Sequence, residues 1–280
     1  MQGHSDEGAA SAEEDGGSEG HLGASPLIVS LPHVGTELPD DLGVHLTPIA
    51  LKRVDTDWYV DRLYEFARDQ GASWLQARYS RYLIDLNRPP NDESLYPGQT
   101  TSGLCPTLSF SGQALYGGAQ PAQDEIRRRR ERYWVPYHAA LGRLIEATRT
   151  QFGFAVLLDA HSIRSELPRL FAGRLPDVNI GTHDGRSCDP ALTARVTAVL
   201  EQQRSFTNVL NGRFKGGYIT RTYGKPSSGV HALQLELAQS AYMDEVTPGT
   251  YDMTRARPLQ LLLRQVIAAI LAFTPPGCSH

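Results

Sequence analysis

Two histidines of this chain each close an apolar run of strand character, and histidine is both a metal ligand and a proton carrier. His33 ends Leu27-Ile-Val-Ser-Leu-Pro-His33, and His161 ends Phe154-Ala-Val-Leu-Leu-Asp-Ala-His161. In α/β proteins ligands bind outside the carboxyl ends of parallel strands, so both imidazoles are expected at one cleft. One strand-end histidine is often only structural; the same context met twice argues for a shared task. Two imidazoles and a carboxylate, with one position left open, form a donor set suited to zinc or another divalent ion. Three acids compete for the carboxylate place. Glu37 follows His33 by four residues, across a loop of unspecified direction, while Asp55 and Asp57 precede the amphipathic run Trp58, Leu63, Phe66. We assign Asp57 to the metal and leave Asp55 as the helix cap. By strand alternation Asp159 shares the face of His161, where its carboxylate is placed to orient the ring.

Glu236 lies inside Ala232-Leu-Gln-Leu-Glu-Leu237, where Gln234 and Glu236 share one face and the leucines the other. A carboxylate this deep in an apolar strand is costly unless paired or functional. Beside an activated water it would serve as general base and acid. Anion recognition has its own candidates. Asn87-Arg88 ends an apolar run, Arg164 follows His161 by three residues, and Arg213 and Arg221 bracket the turn Phe214-Lys-Gly-Gly-Tyr218. Each arginine alone is commonly an ion-pair partner. Several near strand ends point to a small substrate with more than one carboxylate, which a guanidinium grips by two hydrogen bonds.

The elements that must position these groups follow from periodicity. Strands are predicted over 27–31, 80–86, 154–160 and 231–237, with weaker ones near 73–78 and 206–210. Helices are predicted over 57–70, 123–150, 190–204 and 253–272, the second kinked at Pro136. Alternation of the two predicts a single α/β domain over residues 25–275, with a mixed, mostly parallel sheet. Residues 88–122 are rich in Pro, Gly, Ser and Thr without periodicity, and so long a loop is expected over the mouth of the site.

The formal charge of −4 is unevenly spread. Residues 1–24 carry six of the 31 Asp and Glu and none of the 27 Lys and Arg. That segment has too little apolar surface to order itself, and we expect a disordered acidic tail, dispensable for activity and stability. It lacks the pattern of a secretory signal, and no stretch has the length of a membrane span. Cys105, Cys188 and Cys278 have no metal-type spacing. A reduced cytoplasmic enzyme is expected. The run Arg127-Arg-Arg-Arg-Glu-Arg132 reads as the solvated face of a helix, not a nucleic-acid site, because no recognition motif accompanies it. Oligomeric state is not legible.

Six ordered segments carry a resemblance. They are Ser30-Leu-Pro-His-Val-Gly-Thr36, Asp55-Thr-Asp-Trp58, Ser80-Arg-Tyr-Leu-Ile-Asp-Leu-Asn-Arg-Pro89, Asp159-Ala-His-Ser-Ile-Arg164, Asn211-Gly-Arg-Phe-Lys-Gly-Gly-Tyr-Ile-Thr-Arg221 and Val230-His-Ala-Leu-Gln-Leu-Glu-Leu237. Over residues 27–272 the chain resembles the N-formylglutamate amidohydrolase family of bacterial histidine degradation. The resemblance implies a phosphorylase/hydrolase-like three-layer α/β fold related to zinc carboxypeptidases and aspartoacylase. It implies zinc-dependent hydrolysis of N-formyl-L-glutamate to formate and L-glutamate, with Glu236 as general base and Asn87-Arg88 at a substrate carboxylate. Those relatives hold zinc through a His-x-x-Glu pair, but Thr36 stands third after His33 here. A deacylase for another N-acyl amino acid, or a non-catalytic binder of acidic metabolites, is the alternative.

Overall fold

The computed structural model describes residues 13–15, 17–43, 45–95, 97–245 and 250–277, so Cys278 lies outside the described residues. Eight strands form one mixed sheet: β1 Glu13–Asp15, β2 Ser18–His21, β3 Leu27–Leu31, β4 Ser73–Ala77, β5 Ala155–Ile163, β6 Val178–Gly181, β7 Asn208–Leu210 and β8 Val230–Ala238. Their order is β1-β2-β4-β3-β5-β8-β6-β7. The centre, β4-β3-β5-β8, is parallel; β2 and β6 join its two sides antiparallel.

The helices are α1 Asp40–Gly43, α2 Pro48–Leu51, α3 Val60–Tyr64, α4 Phe66–Asp69, α5 Gln123–Arg129, α6 Val135–Phe152, α7 Pro190–Gln202, α8 Tyr218–Tyr223 and α9 Met253–Leu271. They cover both faces of the sheet, which is why β5 and β8 are buried at every position and read as continuous apolar runs. On one face Leu27, Val29, Val156, Leu158, Leu233 and Leu235 pack with residues of α3, α4, α7 and α9. On the other, Ile28, Leu75, Leu157 and Ala232 pack with Tyr137, Leu141 and Ile145 of α6. Alternation puts Ser30, Asp159, His161, Gln234 and Glu236 on this second face, further toward the strand ends. Tyr137 reaches Ser30 Oγ at 3.0 Å. Beyond it the covering layer is loop, and there the polar residues lie.

Three expectations are corrected. Residues 80–86 are buried but form turns, not a strand, with Leu83 N donating to Ser80 O and Asp85 N to Leu104 O. An apolar run reports burial, and only pairing makes it a strand. The predicted helix over 57–70 breaks into α3 and α4, after Tyr59 turns the chain in the left-handed region (φ 61°). Finally, the acidic segment is not a free tail from Glu13 onward. Residues of β1 and β2 form a hairpin whose inner strand pairs with β4. Backbone pairing at a sheet edge needs little apolar surface, so composition alone did not reveal it. The predicted long helix runs 123–152 but contains a π-helical turn, Arg130–Trp134, just before Pro136.

Candidate active site

His33 and His161 leave β3 and β5 as neighbours, with Nδ1 atoms 3.1 Å apart. Asp57 completes the group: its Oδ2 lies 2.9 Å from His161 Nδ1 and 3.6 Å from His33 Nδ1. All three side chains are buried, and one donor atom from each lies within 4.8 Å of the others. Asp57 N donates to His33 O, which ties the loop after β3 to the turn before α3. Asp57 is not spent as a helix cap, because Tyr59 occupies that place. Nor does Asp55 cap: its Oδ2 accepts from Tyr82 OH and Phe110 N, both at 2.8 Å, and anchors the loop above the site. Glu37 is half exposed and paired with Arg78 at 2.7 Å, apart from the cluster.

The far nitrogens of both rings have partners of their own. His33 Nε2 meets Asp85 Oδ1 at 2.7 Å, and His161 Nε2 meets Asp159 Oδ1 at 3.1 Å. Donation from each Nε2–H turns an Nδ1 lone pair toward Asp57. Two lone pairs and a carboxylate so close repel one another unless a cation or proton lies among them. Asp57 Oδ1 is also buried without a hydrogen bond, with Arg81 Nη1 at 3.5 Å. This donor chemistry fits a divalent ion held by His33, Asp57 and His161.

Without a metal the cluster must carry a proton. Burial disfavours a charged His161 ring, but the Asp159 and Asp57 carboxylates outweigh it and raise its pKa well above the ordinary value. Burial would raise Asp57, yet hydrogen bonds and charge from His161 and His33 hold it below the usual carboxylate range. Arg81 and then His33 likewise overcome burial at Asp85.

A small cavity of about 70 Å³ opens beside the cluster. His33, His161, Glu236, Gln234, Asn87, Arg81, Arg88 and Arg213 border it, with Thr100, Thr101, Ser102 and Phe110 from the long loop. Glu236 pairs in register with His161 across β5 and β8. Burial pushes its pKa up to about 8, with His161 opposing and Asp57 adding to the rise. Arg88 is braced by Ser102 O (3.0 Å) and Ser102 Oγ (2.9 Å). Arg213 is braced by Leu170 O (2.9 Å) and Thr100 O (3.3 Å). Arg164 and Arg221 are not among the lining residues; Arg221 donates to Gly216 O and Leu95 O. Asn87 lines the cavity, but its Nδ2 donates to Asp159 Oδ2 (3.1 Å) and its Oδ1 accepts from Ile219 N (2.8 Å).

Arg81 and Asp85 were not singled out from the sequence. Their guanidinium and carboxylate meet at 2.6 Å, four residues apart in a buried segment. The signal was present: both are charged residues inside an apolar run, the same anomaly that drew attention to Glu236.

Comparison with known proteins agrees with this architecture. The model of the N-formylglutamate amidohydrolase family matches residues 25–243. The N-formylglutamate deformylase of Pseudomonas putida is 50% identical over 254 residues, 90% of this chain and 95% of that protein. The deformylase of Pseudomonas aeruginosa is 48% identical over 252 residues, 90% of this chain and 94% of that protein. The crystal structure of N-formylglutamate amidohydrolase from Ralstonia eutropha JMP134 superposes with a TM-score of 0.77 at 27% identity, covering 91% of this chain and 98% of that one. The fold is thus that of an α/β amidohydrolase. The chain belongs to the N-formylglutamate amidohydrolase family.

Proposed function

We propose that this protein hydrolyses N-formyl-L-glutamate to formate and L-glutamate with the help of one divalent ion, zinc by donor chemistry. The observation that carries the reading is the junction, in one cavity, of the His33–Asp57–His161 cluster with Glu236 and two braced arginines. The family supplies the substrate class. An ion held by the cluster would supply Lewis acidity toward the formyl oxygen and make water a stronger acid. Glu236 takes the proton of the attacking water and passes it to the departing amine nitrogen. Arg88 and Arg213, both on the cavity wall, hold the two carboxylates and fix the formyl carbon against the reacting water. Asn87 acts through Asp159, the partner of His161, and not on the substrate. Arg164 and Arg221 stand outside this assignment, because neither borders the cavity.

In this reading the reaction ends histidine degradation in the cytoplasm and needs no nucleic-acid or membrane partner. Among the described residues no helix is long and apolar enough to cross a membrane. Formate release from N-formyl-L-glutamate, measured before and after chelation and after zinc is returned, tests the assignment. Loss on chelation and recovery on readdition are expected. Faster turnover of N-acetyl-L-glutamate would favour the alternative deacylase, and binding without turnover would favour a metabolite-binding protein.

A further inference from the structure

Gln234 stands two residues before Glu236 on β8, on the same face, and is buried beside the cavity. Its amide is held at both ends. Gly217 N donates to Gln234 Oε1 at 2.7 Å, and Gln234 Nε2 donates to Glu236 Oε2 at 3.0 Å. The first contact decides the second: with the oxygen committed to a backbone N–H, only the NH₂ group can face the carboxylate. The backbone at Gly217 is itself fixed in place. A Cβ there would collide with the Asn87 amide, and Asn87 in turn accepts from Ile219 N. The Gly-Gly turn before α8 therefore sets the orientation of the Gln234 amide, and that amide sets the orientation of Glu236.

Glu236 makes no other side-chain hydrogen bond among the described residues, so its two oxygens are not equivalent. Oε2 is occupied as an acceptor, and Oε1 is left for the cavity.

We propose that Gln234 is the positioning residue for Glu236, holding Oε2 so that Oε1 is the oxygen that exchanges the proton in catalysis. This rests on Glu236 being the general base. Proton transfer demands alignment within hydrogen-bond reach of the reacting water, so a carboxylate free to rotate loses rate without losing substrate affinity. Gln234 touches no reacting atom. Its contribution acts through the carboxylate it holds.

The test is a double-mutant cycle read by steady-state kinetics on N-formyl-L-glutamate, with metal content measured for every variant. Gln234→Met keeps the length of the side chain and removes both amide hydrogen bonds. It should lower kcat about 10-fold or more, with KM and metal content within about two-fold of the parent. In the Glu236→Gln background the same change should add less than about two-fold, because there is no carboxylate left to position. Gln234→Asn keeps the amide but falls one methylene short, and should also lower kcat with KM held. It serves as the reading if Gln234→Met fails to fold. An unchanged kcat in Gln234→Met or Gln234→Asn, or an equal loss in both backgrounds, overturns the proposal. A Glu236→Gln variant with parental kcat overturns instead the assignment of Glu236 as the base, so the two failures are distinguishable.

Discussion

His33 and His161 face each other through Nδ1 atoms 3.1 Å apart, while the outer nitrogen of each ring is held by a different aspartate, Asp85 and Asp159. With both hydrogens on the outer nitrogens, two bare Nδ1 lone pairs would face each other at this distance, and a cation or a proton among them relieves that repulsion.

The first prediction tests the cation. Purified protein should carry about one divalent ion per chain, and His33→Ala or His161→Ala should lose both the ion and activity while remaining folded by circular dichroism. Elemental analysis finding metal-free yet fully active protein would refute the assignment.

The proton gives a prediction for the chelated protein. His161 has a folded pKa raised above its unfolded value near 6.5, so its stabilising contribution is complete below that pH and disappears as pH rises through the raised value. Glu236, raised from 4.5 to about 8, keeps a proton when folded that it gives up when unfolded, so its contribution also falls with rising pH across that interval. Both signs agree. The Tm of chelated protein should therefore decline from about pH 6.5 to 8.5, as followed by thermal melts. A flat or rising Tm over that range would show that neither group holds its proton.

Glu236→Gln preserves shape and removes the proton acceptor. The expected loss is about 10²-fold or more in kcat with KM nearly unchanged. Arg88→Ala should act in the opposite sense, mainly raising KM, and Arg88→Lys should restore binding only in part because an ammonium lacks the planar fork. Kinetics in which Arg88→Ala leaves KM untouched would remove Arg88 from substrate recognition.

The N-terminal hairpin yields a stability prediction opposite to the one drawn from composition. Deleting residues 1–22 removes β2, the antiparallel partner of β4 through four registered residues, and leaves that strand edge open. Tm should fall measurably, by several degrees if the loss reaches about 1–2 kcal/mol. An unchanged melt would mean that the hairpin contributes nothing to the folded domain.

By itself the sequence determined the elements whose signal is local. Apolar runs closed by His33 and His161, the carboxylate inside β8, and the periodicities of α7 and α9 are readable because burial on both sides of a sheet imposes continuous hydrophobicity, and burial of one helix face imposes a 3.6-residue repeat. The family followed from the order of such segments. Tertiary structure decided which polar groups meet. It separated Asp57 from Asp55 and Glu37, it drew Arg88 and Arg213 to the cavity while leaving Arg164 and Arg221 off its wall, and it spent the Asn87 amide on Asp159 and Ile219. It also turned 80–86 from an expected strand into a buried turn that delivers Arg81 and Asp85. None of these outcomes has a period. Each depends on contacts between residues distant in sequence, such as His33 with His161 or Asp55 with Phe110, and a pairing of that kind exists only once the sheet and the long loop have closed on each other.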